Sequence, residues 1–111
     1  MARLTSDFWV SAYLRQAAHD GLVAVLRRRG AAEAGAIFVK LDRLDRTAAL
    51  YGPAPQALAE DDGLRRFQLL LDGDPGSIEE RMARELRFDS DLWLVEIENR
   101  AGDPRLDLVE A

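Results

Sequence analysis

Few side chains in this sequence could do chemistry, and the most unusual group is a run of guanidiniums. Arg27-Arg28-Arg29 sits in an apolar stretch that reads as a strand. Strand alternation puts Arg27 and Arg29 on one face and Arg28 on the other. Arg66 joins them if its strand lies alongside, and Glu96 and Glu98 supply carboxylates on a further strand. Such a set can form a salt-bridged sheet surface. It can also bind an anionic ligand, a phosphate or a carboxylate, through charge-assisted hydrogen bonds. These six residues are the candidate ligand site, and their main competitor is the structural role.

Other chemistry finds less material. His19 is the single histidine, and it falls at the end of a helix, where a cation offsets the helix dipole. There is no cysteine, which removes disulfides, thiol catalysis and the usual zinc and iron–sulfur ligand sets. No metal and no cofactor is expected. Asp72-Gly73-Asp74 lacks the further acidic position and closing Glu of a calcium loop, and reads as a turn before a capped helix. Gly30-Ala-Ala-Glu-Ala-Gly35 has the glycine spacing of a phosphate-binding loop, but Ala36-Ile37 stand where Lys and Ser/Thr are required. It reads as a loop between strands. Trp9 and Trp93 occupy apolar periodic positions and belong to the core. No pair of carboxylates stands out as an acid–base couple.

The elements that must hold these residues follow from periodicity. Thr5 or Ser6 can cap a helix at about 7–19, with Trp9, Val10, Tyr13, Leu14 and Ala17 on its apolar face and Gly21 ending it. Leu22–Arg29 and Ala36–Arg43 read as two strands of a hairpin with a long loop. Thr47–Tyr51 is a third strand, and Arg65–Leu71 a fourth, with Phe67, Leu69 and Leu71 on one face. Ser77-Ile78-Glu79-Glu80 fits a capping box for a helix at 77–87, whose Ile78, Met82 and Leu86 recur every fourth residue. Leu92–Asn99 is a fifth strand, with Trp93, Val95 and Ile97 on one side. The expectation is an α+β fold in the order α-β-β-β-β-α-β: a mostly antiparallel sheet of about five strands with two helices packed on one face. That face carries Ile37, Val39, Leu41, Phe67, Leu69, Trp93, Val95 and Ile97. The segment 53–64 reads as an exposed loop with Glu60, Asp61 and Asp62 solvated. The tail 104–111 can add a short edge strand through Leu106–Val109.

The opposite sheet face then carries Phe38, Leu70, Leu92 and Leu94 among its polar residues. A wet face rarely gathers several large apolar side chains. These four are therefore candidate interface residues for a twofold dimer or one protein partner, unless a loop or the tail covers them.

The chain has 111 residues, which suits one domain spanning 1–111. Its net charge of −5 disfavours nucleic acid and anionic membranes. No apolar run reaches the ~20 residues of a membrane span. The first residues show no apolar signal-peptide core. A cytoplasmic address is expected. Lys40 is the only lysine against many arginines, a bias of GC-rich bacterial genomes.

Four segments also resemble a known family. They are Phe8-Trp-Val-Ser-Ala-Tyr-Leu-Arg, Arg28-Arg-Gly-Ala-Ala-Glu-Ala-Gly-Ala-Ile-Phe-Val-Lys, Leu50-Tyr-Gly-Pro-Ala-Pro-Gln and Phe88-Asp-Ser-Asp-Leu-Trp-Leu-Val-Glu-Ile-Glu. Together they are similar to short alphaproteobacterial proteins grouped as domain of unknown function 1491. The resemblance implies a bacterial, free-standing domain and no activity, cofactor or site. The residues themselves favour a non-enzymatic interaction module, a homodimer or an adaptor for one protein. The alternative is a small-molecule binding protein or modest enzyme built on the arginine and glutamate cluster.

Overall fold

A computed structural model describes residues 4–58 and 62–109. Glu60 and Asp61 of the expected loop, and the last two residues of the tail, lie outside the described residues.

Helix α1 is Ser6–His19 and helix α2 is Pro75–Phe88. The strands are β1 Val23–Arg28, β2 Ile37–Asp42, β3 Ala48–Pro53, β4 Arg66–Gly73, β5 Trp93–Glu98 and β6 Asp107–Leu108. They form one sheet in the order β1-β5-β2-β3-β4-β6. The tail does add the short edge strand, pairing parallel with β4. A single 3-10 turn, Gln56–Leu58, opens the 53–64 segment.

The sheet is mixed. β2–β3 and β3–β4 are antiparallel hairpins, as the spacing predicts. The expected β1–β2 hairpin does not form. β5 inserts between them, antiparallel to β1 and parallel to β2. The glycine loop is long enough to step across that gap, and β5 offers apolar residues on both of its faces. Its side chains Trp93, Leu94, Val95 and Ile97 are all buried, as is Leu92 just before it.

The helices pack on opposite faces, not on one. On the first face α1 lays Val10, Tyr13 and Ala17 over Ile37, Val39, Leu41, Phe67, Trp93, Val95 and Ile97. On the second face α2 lays Ile78 and Met82 over Phe38, Leu50, Leu92 and Leu94, with Leu70 and Leu86 alongside. The four candidate interface residues are therefore core or core margin. Phe38, Leu92 and Leu94 are buried and Leu70 is half-buried. Their apolar character is answered within the chain, because α2 crosses back over them.

Two bulges move side chains off the simple alternation. The β3–β4 register slips between Leu50 and Tyr51, so Leu71 stands opposite Leu50 while Leu69 stands opposite Tyr51. A one-residue slip reverses faces beyond it. Phe67 thus joins the α1 core, whereas Leu71 joins the α2 core and Leu69 is exposed. The second bulge lies between Leu26 and Arg28 in β1.

The helix starts also differ from expectation. Asp74 caps α2, its Oδ2 accepting from Ser77 N–H at 3.1 Å, with Pro75 in the first turn. Ser77 is the third residue after that cap, in the first turn of the helix, and not the cap itself. At α1 the N–H groups of Ser6 and Asp7 donate to Glu33 O and Ala32 O at 3.0 and 2.9 Å. The glycine loop therefore caps α1. A Cβ on Gly30 or on Gly35 would collide with the Asp91 carbonyl, so both glycines are needed for the close approach of loop and β5.

Candidate functional site

The bulge in β1 decides the fate of the arginine run. It leaves Arg27 as the extra residue, with Arg28 opposite Leu94 on the α2 side. Arg27 reaches across the second face to α2 and β5. Its Nη1 and Nη2 donate to both oxygens of Glu79 at 2.8 Å, and Nη1 also donates to Glu96 Oε1 at 3.1 Å. Lys40 on β2 enters from the other side. Its Nζ donates to Glu79 Oε2 at 2.7 Å and lies 3.9 Å from Glu96. Two cations and two carboxylates thus close a ring across β1, β5, β2 and α2.

The electrostatics follow from that geometry. Hydrogen bonds from Arg27, and then from Lys40, hold the Glu79 carboxyl down at about 2 against the opposing effect of partial burial. Glu79 in turn raises Arg27 further above its already high range. Lys40 is only 8% exposed, which is tolerable because its charge is met by Glu79 and Glu96. Formal charge within the ring sums to zero.

The six residues of the candidate ligand site do not converge. Arg27 and Glu96 meet. Arg28 instead donates from Nη2 to Ser90 O at 2.8 Å, and its buried Nε has no partner. Arg29 lies on the α1 side, its guanidinium carbon 5.3 Å from the centre of the Trp93 ring, a cation–π contact. Arg66 stands on β4, separated from β1 by β5, β2 and β3, and forms a fork with Asp62 at 3.0 and 2.8 Å. That fork lowers the Asp62 carboxyl to about 2. Glu98 lies in register with Val23 and Asp42 at the far end of β5. Lys40 and Glu79 complete the ring and were not among the candidates. Lys40 carries one available signal, a lone lysine on the same strand face as Phe38. Glu79 carries none until α2 is known to lie on that face.

Elsewhere the polar groups are used structurally. Trp93 Nε1 donates to Ala31 O at 2.8 Å and Ser6 Oγ to Gly35 O at 2.6 Å, both tying the glycine loop down. Tyr13 donates its hydroxyl to Pro104 O at 2.6 Å. Burial, with Asp103 nearby, pushes that hydroxyl above its ordinary range. Asp72 pairs with Arg43 at 3.0 Å, and Asp74 is the α2 cap. His19 lines a shallow recess on α1 with Ala12, Arg15 and Gln16. Among the described residues, no group of three or more His, Asp or Glu is placed to hold a metal ion. A wider recess of about 640 Å³ runs along the glycine loop from Ala31 to Ala36, with Asp89 and Asp91. Among the described residues no basic side chain lines it.

This fold is shared with solved proteins. The protein family of unknown function DUF1491 matches residues 4–107. The solution structure of Atu0922 from A. tumefaciens is 43% identical, with a TM-score of 0.84 over 98% of this chain and 97% of that one. The crystal structure of a DUF1491 family protein from Caulobacter crescentus is 32% identical, with a TM-score of 0.79 over 96% of this chain and 98% of that one. No curated protein matches. The α+β chain with its two-sided sheet therefore belongs to the DUF1491 family, whose function is unknown. No helix among the described residues is long and apolar enough to cross a membrane.

Proposed function

We propose that this protein is a non-enzymatic interaction module that works by binding protein. One observation carries the reading. The cations that the strongest candidate site offers, Arg27 and Lys40, are already met by Glu79 and Glu96 of the same chain. An anionic ligand would have to displace two carboxylates held at hydrogen-bond distance, at a cost of roughly 1–3 kcal/mol for each charge-assisted bond broken. An edge strand with exposed valines, by contrast, has no such competitor. The acidic net charge supports a partner other than nucleic acid. A bacterial cytoplasmic setting fits the cysteine-free sequence and the sources of the similar structures.

Native mass spectrometry on gently purified protein tests this. The expected spectrum holds the polypeptide alone, as monomer, as a dimer, or with a second protein. A stoichiometric small-molecule adduct that is lost in Arg27→Gln would overturn the reading in favour of an anionic ligand.

A further inference from the structure

The outer edge of β1 is open, and the hydrogen bonds of its neighbour show which groups it presents. In β5 the N–H groups of Trp93 and Asn99 donate to Ala36 O and Asp42 O, at 2.8 and 3.0 Å, on the β2 side. Alternation then turns the main-chain groups of Leu94, Glu96 and Glu98 toward β1. Glu96 and Glu98 stand opposite Val25 and Val23. Val23 and Val25 are therefore bonded inward, and the N–H and C=O groups of Ala24 and Leu26 point out of the sheet. No turn, loop or cap satisfies them among the described residues. Val23 and Val25 themselves are 56% and 49% exposed.

We infer that β1 pairs antiparallel with β1 of a second copy, about a twofold axis through Val25, and so continues the sheet from one molecule into the next. The pattern is self-complementary about that residue. Ala24 meets Leu26 of the second copy as a hydrogen-bonded pair, twice by symmetry. Val25 meets its own copy at the close, non-bonded position, where side-chain contact is greatest. Val23 meets Arg27. A smaller polar match points the same way. Glu98 and Asp42 extend the row behind Val23, and neither forms an ion pair among the described residues. Arg27 of the second copy stands beside that row with its Nε–H, while both of its Nη groups stay on its own Glu79 and Glu96. The bulge after Leu26 limits the pairing to Val23–Arg27, so the contact is small and the dimer is weak.

This inference rests on the interaction reading and names the partner. Sedimentation of the full chain from micromolar to millimolar concentration tests it. The wild type is expected to shift from monomer to dimer. Val25→Lys, which sets two ammonium groups side by side on the axis, should weaken the dimer about tenfold or more. Glu98→Arg should weaken it as well and guards against a folding defect in the first variant. Leu69→Lys removes an equally exposed leucine on β4 and should change nothing. A wild type that stays monomeric to millimolar, or a dimer indifferent to both Val25→Lys and Glu98→Arg, overturns the self-pairing. Such a result with a small-molecule-free native spectrum leaves an unlike protein partner standing, whereas a bound small molecule removes the interaction reading itself.

Discussion

Glu79 is the residue on which the charged ring turns, because it alone touches both Arg27 and Lys40 at hydrogen-bond distance. Its carboxyl is held at about 2 in the folded chain against an ordinary 4.5, so it binds its proton more weakly folded than unfolded. The stability this supplies is fully present above pH 4.5 and disappears as pH falls toward 2. The side chain is 42% exposed, so screening leaves about 1 kcal/mol of the effect. Glu79→Gln should therefore lower stability by about 1 kcal/mol at neutral pH and flatten the acid limb of a urea-unfolding series. Unchanged acid dependence would mean that the ring contributes nothing to folding. At this scale the sequence shows only half of the ring. Arg27 and Glu96 are readable as a strand cluster, since both lie on strands with clear alternation. Lys40 and Glu79 are not, because their meeting depends on where α2 lands. The α1 core is the opposite case. Val10, Tyr13 and Ala17 are legible from spacing alone, because a helix has one buried stripe wherever it packs.

Single elements were legible in type and less so in their ends. Both long helices and five of the strands fall where periodicity puts them. The start of α2 is a residue-level competition. Ser77 with Glu80 spells a capping box, yet Asp74 followed by Pro75 is the stronger start, since Pro fits the first turn and Asp accepts from Ser77 N–H. Asp74→Ala should cost about 1 kcal/mol and Ser77→Ala clearly less, measured by thermal or urea unfolding. The reverse order would return the cap to Ser77. Bulges are the other blind spot. Nothing in Leu26-Arg27-Arg28 or in Leu69-Leu70-Leu71 announces an extra residue, because a bulge is defined by the partner strand. The glycine loop shows a further case. Its spacing suggests a phosphate loop, but its carbonyls occupy the α1 N-terminus, and its glycines admit the Asp91 carbonyl.

At the scale of the molecule, the decisive fact is that the sheet is covered on both sides. Strand β5 is apolar on both faces, and Phe38, Leu92 and Leu94 need a second cover. Read as a two-layer sheet these residues look like an interface, and α2 turns them into a core. Strand order lies beyond local pattern, since the insertion of β5 between β1 and β2 depends on long-range pairing. The same insertion leaves β1 as an edge, and among the described residues its outward main-chain groups, unlike those of the charged ring, keep unused bonding capacity. Amide hydrogen exchange at micromolar and millimolar concentration reads this claim most directly. Slower exchange of the Ala24 and Leu26 amides at the higher concentration, with the other strand amides unmoved, is the predicted result. Equal and rapid exchange of both amides at the two concentrations would contradict it.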